Sequence, residues 1–135
     1  MNGATMIEFH LDAHSGVAPY QQIVQQVRHA LRLGLVDVGD QLPTVKEVVA
    51  RLAINPNTVL KAYKELEHLG LVAARPGIGT FVIATLRDDS LAAHGLLRHS
   101  LQRWITQARR AGLNEESIDA LYKECLRSSS TEDVA

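Results

Sequence analysis

The sequence predicts an α+β chain in which three short helices lead into a β-hairpin, with a short strand before them and two more helices after. Three observations carry this. Two helix-start signals, Thr44 with Glu47 and Asn55 with Pro56, stand so close that only a tight turn can join the helices they open. Beyond Gly70 the apolar spacing changes from the helical period to short extended runs around Gly77 and Gly79. Beyond residue 88, two amphipathic stripes recur at three- and four-residue spacing.

Taken in order, Ile7, Phe9 and Leu11 alternate with Glu8, His10 and Asp12, the period-2 pattern of a short strand. Residues 12–18 read as a turn. Pro19 suits the first helical position, where its missing N–H is no loss, and Ile23, Val24, Val27, Ala30 and Leu31 share one face of a helix reaching about Gly34. Residues 36–40 form a turn-rich connector. Thr44 and Glu47 have the form of a capping box, in which each side chain satisfies a free N–H of the other. Val45, Val48, Val49 and Leu52 face inward on the helix that follows, which ends near Ala53. Asn55 can cap the next helix and Pro56 opens it. Val59, Ala62, Tyr63 and Leu66 make its apolar stripe, and Asn57, Lys61, Lys64 and His68 lie opposite. Gly70 stands where a left-handed residue ends a helix.

Leu71-Val72-Ala73-Ala74 and Thr80-Phe81-Val82-Ile83 flank Arg75-Pro76-Gly77-Ile78-Gly79, whose glycines suit a hairpin tip. The spacing of the two short helices alone fits a helix-turn-helix or an ordinary helical hairpin; three helices followed by a hairpin are the layout of a winged helix-turn-helix, expected over residues 7–84. A helical segment is expected over 88–127. Asp88, Asp89 and Ser90 open its first helix, Gly112 stops it, and Asn114 caps the second. The small polar tail, 128–135, reads as disordered. The apolar residues of the helix pair can be covered by packing back on the domain or by a second copy; a pair this thin has little core of its own, so the second copy is expected. The expected dimerisation residues are Leu97, Leu101, Trp104, Ile105, Ala108, Ile118, Leu121 and Tyr122.

Composition narrows the function. The chain has 135 residues, 46% of them hydrophobic and 4% aromatic, enough for one small aliphatic core with an appendage. No run approaches the ~20 apolar residues of a membrane span, and no secretory signal is evident, so a cytoplasmic protein is expected. A single cysteine, Cys125, excludes an internal disulfide and a Cys-rich zinc site. It falls on the apolar stripe of the last helix and reads as a small buried hydrophobe rather than a nucleophile. There is no phosphate-binding glycine loop, since Gly77-Ile78-Gly79 is too short and follows the wrong element. The six histidines are scattered. Neither an enzyme, a metal site nor a cofactor is expected. The net charge of −1 argues against binding nucleic acid by bulk charge, but residues 20–82 hold seven basic and five acidic residues between more acidic flanks. Charge placement must therefore be local.

Leu42-Pro43-Thr44-Val45-Lys46-Glu47-Val48, Asn55-Pro56-Asn57-Thr58-Val59, Lys61-Ala62-Tyr63, Glu65-Leu66, Gly70-Leu71 and Gly77-Ile78-Gly79-Thr80-Phe81-Val82 together resemble the winged-helix domain of GntR-family bacterial transcription regulators. Pro19-Tyr20-Gln21-Gln22-Ile23 and the short C-terminal helical pair are similar to the YtrA-type branch. The resemblance covers residues 7–83 in detail. It implies that residues 44–53 lie across the DNA backbone, that the helix from Asn55 enters the major groove, and that the tip at Gly77 reaches the minor groove. It implies contacts at Lys46, Asn57, Thr58, Lys61 and Gly77. The side-chain chemistry agrees, since Asn can pair with adenine, Thr can bond a base or phosphate or touch a thymine methyl, and Lys can reach guanine or phosphate. Arg75 is the expected wing phosphate contact; Asn55, Lys64 and Thr80 complete the DNA-binding set, with Tyr20 a weaker member. The chain also departs from the family. Lys46 stands where Arg is usual, which removes bidentate recognition, and Thr44 replaces the commoner Ser while keeping the cap. Ile78 stands where a basic residue is common. The large ligand-binding domains of the family are absent, so no small-molecule effector is expected. The implied function is a homodimeric, sequence-specific repressor on an imperfect palindrome in double-stranded DNA, with an ABC-transporter operon as the implied target. The near-neutral charge supports a second reading, a winged-helix module that binds protein and tolerates neutralisation of Lys46, Lys61 and Arg75.

Overall fold

The computed structural model describes residues 7–87 and 94–134, with side chains as far as Ser130. The chain divides into two compact units, one within residues 1–89 and one within 90–135.

The first unit contains α1 (Pro19–Arg32), α2 (Val45–Leu52), α3 (Pro56–His68), β1 (Val72–Arg75) and β2 (Gly79–Val82). The apolar stripes find one another. Ile23, Val27 and Leu31 of α1, Val48 of α2, and Val59, Ala62, Tyr63 and Leu66 of α3 form one buried cluster with Leu42, Leu71, Val72 and Val82. On α2 only Val48 is fully buried, and Val45, Val49 and Leu52 are half-buried at the edge of the cluster. The helix starts are those the sequence predicts. Thr44 Oγ1 accepts from Glu47 N–H at 3.1 Å in a complete capping box. Asn55 Oδ1 accepts from Asn57 N–H at 2.8 Å, with Pro56 at the first position of α3. At the end of α3, Gly70 N–H and Leu71 N–H donate back to the carbonyls of Glu67 and Leu66, the pair of hydrogen bonds of a Schellman motif. Ala53, between α2 and α3, has φ 54° and turns the chain tightly enough for three residues to join the two helices.

β1 and β2 pair antiparallel in the register Val72–Val82 to Arg75–Gly79. A third edge is added before α2, where Gln41 bridges Phe81 and Leu42 N–H donates to Thr80 O at 2.8 Å. Tyr63 ties α3 to the same segment, its O–H donating to Pro43 O at 2.5 Å.

The expected strand over residues 7–12 is not formed. The segment packs on the core, with Phe9 buried and Ile7 and Leu11 half-buried, but no neighbouring strand pairs with it. Two glutamines of α1 take that role. Gln26 Oε1 and Nε2 bond His10 N–H and C=O at 3.1 and 2.7 Å. Gln22 does the same for Asp12 at 2.8 and 3.0 Å, and its amide also donates to Val17 O and Ser15 Oγ. Gln22 is only 8% exposed, and these bonds are what make its burial tolerable.

The second unit holds α4 (His94–Arg110) and α5 (Glu115–Val134). The expected start of its first helix at Asp88, Asp89 and Ser90 lies outside the described residues. Gly112 and Leu113 close α4 on Arg109 O and Ala108 O, and Asn114 Oδ1 caps α5 by accepting from Ser117 N–H at 2.8 Å. The tail read as disordered from Ser128 is instead helical, as α5 runs on to Val134. Polar side chains bond locally along it. Ser128 Oγ donates to Glu124 Oε1 at 2.7 Å, Arg127 pairs with Glu124, and Ser130 Oγ donates to Leu126 O at 3.1 Å. The serine and arginine bonds hold the Glu124 carboxyl below the usual range. Cys125, expected to be buried, is exposed.

Candidate nucleic-acid interface

One side of α3 carries the polar residues that the period predicts. Asn57, Lys61, Lys64 and His68 are exposed there, against the buried Val59, Ala62, Tyr63 and Leu66. Thr58 is half-buried in the first turn, with its N–H bonded to Asn55 O at 3.0 Å. Asn55 is exposed, and its side-chain oxygen is engaged in the cap, which leaves the amide NH₂ for another partner. Lys46 is exposed in the first turn of α2. Lys46, Lys61, Lys64 and Arg75 form no salt bridge among the described residues.

Lys61 is positioned by a residue far away in sequence. Its Nζ lies 4.2 Å from the centroid of the Tyr20 ring, at the start of α1. The ring face attracts the ammonium and orders a side chain that would otherwise sample many rotamers. Tyr20 therefore has a definite place beside the site, as a support for Lys61.

The wing is built to present its tip. Arg75, Pro76, Gly77 and Ile78 form a turn closed by Ile78 N–H on Arg75 O at 2.9 Å, and Gly77 has the φ of 76° that a type II turn needs at its third residue. The Gln41 amide donates to Ile78 O at 3.2 Å from outside the hairpin. A Cβ at Gly79 would collide with that amide, so the glycine lets Gln41 reach in. Arg75 is exposed and lies over the Phe81 ring at 4.9 Å from the centroid. Thr80 is half-buried opposite Ala74, and its carbonyl is the acceptor for Leu42.

Tyr63 fixes α3 relative to the approach to α2. Burial, and after it the nearby Glu47 carboxylate, push its phenol well above the ordinary tyrosine range. The phenol stays protonated and keeps donating to Pro43 O.

Sequence reasoning missed Gln41 as a support of the wing and Leu60 as an exposed member of the polar side of α3. Helical spacing alone could have found Leu60. Gln41 had no local signal, because its partner Ile78 is far along the chain. No group of three or more His, Cys, Asp or Glu able to hold a metal occurs among the described residues, and no described helix is long and apolar enough to cross a membrane.

The model of bacterial regulatory proteins of the gntR family matches residues 19–82, from the start of α1 to the end of the hairpin. The HTH-type transcriptional repressor YtrA of Bacillus subtilis (strain 168) is 33% identical over 115 residues, 84% of this chain and 88% of that protein. The chain belongs to the GntR family. Among solved structures, a transcriptional antiterminator from Listeria monocytogenes EGD-e is 30% identical with a TM-score of 0.56, over 87% of this chain and 89% of that one. YtrA from Sulfolobus acidocaldarius, a GntR-family transcription factor, is 26% identical with a TM-score of 0.52, over 72% of this chain and 96% of that one. This GntR-family chain is thus a DNA-binding transcription regulator of the YtrA type. Its helix-turn-helix is α2 with α3, and its wing is the β1–β2 hairpin.

Proposed function

We propose that the chain is a cytoplasmic, homodimeric repressor that reads an imperfect palindrome, one half-site for each subunit. The observation that carries the dimer is the apolar surface of the second unit. Leu97 is 62% exposed, Leu101 and Tyr122 nearly half, and Leu121 little less, while Ala108 is the only buried hydrophobic of α4. Trp104, Ile105 and Ile118 are half-buried along the same stripes. Apolar side chains this exposed on two consecutive helices favour association with another copy. A two-fold dimer would then place two α3 helices on half-sites one helical turn, or a multiple, apart.

In this reading α3 enters the major groove. Asn57 and Thr58 meet base edges, Lys61 and Lys64 meet bases or phosphates, and Asn55 offers its amide NH₂ to the backbone. Lys46 contacts phosphate from α2. Arg75, Gly77 and Thr80 bring the wing to the adjacent minor groove and its phosphates. Repression follows from excluding polymerase at the bound site, and an ABC-transporter operon is the target that the YtrA-type resemblance implies.

The test is selection of bound duplexes from a random pool by the full chain at two salt concentrations. An enriched palindrome with two equivalent half-sites supports the dimeric regulator and gives its operator for a genome search. Enrichment of nothing, with binding that vanishes at moderate salt, would refute sequence reading by this chain.

A further inference from the structure

Leu60 is a large apolar residue on a side of α3 that otherwise carries amide and charged groups. It is 44% exposed and takes no part in the cluster that buries Val59, Ala62, Tyr63 and Leu66. It sits one turn after Asn57, one turn before Lys64, and next to Lys61, whose side chain the Tyr20 ring holds. Beyond Lys64 the helix turns acidic, with Glu65 and Glu67, and phosphates would be repelled there. The stretch of α3 suited to DNA therefore ends near Lys64, and Leu60 lies within it.

The choice of partner follows from the chemistry of the groove. Base edges in the major groove are donors and acceptors, with one apolar exception, the C5-methyl group of thymine. A leucine gains nothing from a donor or an acceptor, and set against one it would strip water without replacing the hydrogen bond. Against a methyl group it removes apolar surface from water on both sides. We infer that Leu60 is a specificity-determining residue that contacts a thymine methyl in each half-site. This rests on the DNA-reading role of α3 proposed above. It adds what Asn57 and the lysines do not supply, a preference expressed through shape and apolar contact alone, and Leu60→Ala separates it from any thymine contact made by the Thr58 methyl.

The test uses the operator recovered by selection and the full chain. Each thymidine of the half-site is replaced in turn by deoxyuridine, which pairs identically with adenine and lacks only the methyl group. For the unaltered chain, one position per half-site should lose about fourfold in affinity, the worth of one buried methyl-sized group. Leu60→Ala should bind the thymidine and deoxyuridine operators equally, with its melting temperature unchanged because the side chain is outside the core. Three results overturn the inference: no position sensitive to deoxyuridine, the same sensitivity in Leu60→Ala, or an operator without thymine under α3. If the unaltered chain selects no sequence, the DNA-reading role fails first and this inference falls with it, and that outcome is distinct from the other three.

Discussion

Tyr63→Phe isolates one hydrogen bond between α3 and the segment entering α2. The ring stays in the core, where Tyr63 is 6% exposed, and only the O–H to Pro43 O at 2.5 Å is lost. An intramolecular bond of this kind contributes about 1 kcal/mol net. Pro43 is half-buried, so water reaches its carbonyl in part and the loss should stay near that figure. The pH dependence sharpens the test. The folded phenol titrates above the ordinary tyrosine value, chiefly through burial and then through Glu47. Its contribution is therefore fully present below pH ~10, where the unfolded phenol is still protonated, and is lost as pH rises further. Above that point the unfolded chain releases a proton that the folded chain keeps, and stability falls by about 1.4 kcal/mol per pH unit relative to the Phe variant. The native chain should lead by about 1 kcal/mol at pH 8. The two should become equal between about pH 10 and 11, and the variant should lead beyond that. Urea unfolding followed by far-ultraviolet circular dichroism measures both curves. Trp104 is unsuitable as a probe, since it belongs to the other unit. A difference that stayed constant from pH 8 to 11 would refute the assignment of a buried, protonated phenol.

Four further variants test other parts of the structure. Gln22→Ala removes the bonds to Asp12, Ser15 and Val17; because Asp12 is exposed and can turn to water, the cost should be about 1–3 kcal/mol in thermal or urea unfolding. Asn57→Ala should cost roughly 1–3 kcal/mol of discrimination at one base position per half-site, whereas Lys46→Ala should weaken all duplexes alike in competition binding. If the proposed dimer forms through the α4 stripe, Trp104→Asp should run as a monomer in analytical ultracentrifugation and lose tight operator binding; a variant that stayed dimeric would move the interface off that stripe.

What the sequence made legible was local. Thr44 with Glu47, and Asn55 with Pro56, are signals confined to four residues, and the helices they open start where they say. The hairpin tip was legible for the same reason, since a type II turn with Gly77 in third place needs no distant partner. The failures were non-local or concerned competition. Gln22 and Gln26 sit one turn apart on α1 and look like an ordinary solvated edge, yet they pair with backbone 10 and 16 residues earlier. Alternation at Ile7, Phe9 and Leu11 correctly reported one buried side, but a strand also needs an edge to pair with, and here side-chain amides supply it. The serine-rich tail failed in the opposite direction. Its composition suggests disorder, while the backbone is helical to Val134 and Ser128 bonds the Glu124 carboxylate one turn back. In the candidate interface, periodicity placed Asn57, Lys61 and Lys64 together, but it could not bring Tyr20 beneath Lys61 or Gln41 under the wing.

The net charge of −1 looks ill-suited to DNA binding, but four acids of the first unit have partners inside the fold. Glu47 is held in the capping box, Glu67 accepts from Ala74 N–H at 3.4 Å, Asp40 accepts from Asp37 N–H at 2.8 Å, and Glu8 pairs with Arg51 at 3.3 Å. Each does structural work inside the fold, while Lys46, Lys61, Lys64 and Arg75 keep exposed and without a carboxylate partner among the described residues. The proposed contacts then set a limit. Four cations in each of two subunits can displace counterions from about eight phosphates, so the slope of log affinity against log salt should be no steeper than about −7. Lys46→Ala, by removing one contact per subunit, should flatten it by about 2. Titrations of the operator between low and physiological salt measure both. A slope well beyond that bound would mean that other arginines, such as Arg28 or Arg32 of α1, reach the backbone, and the proposed footprint would then be too small.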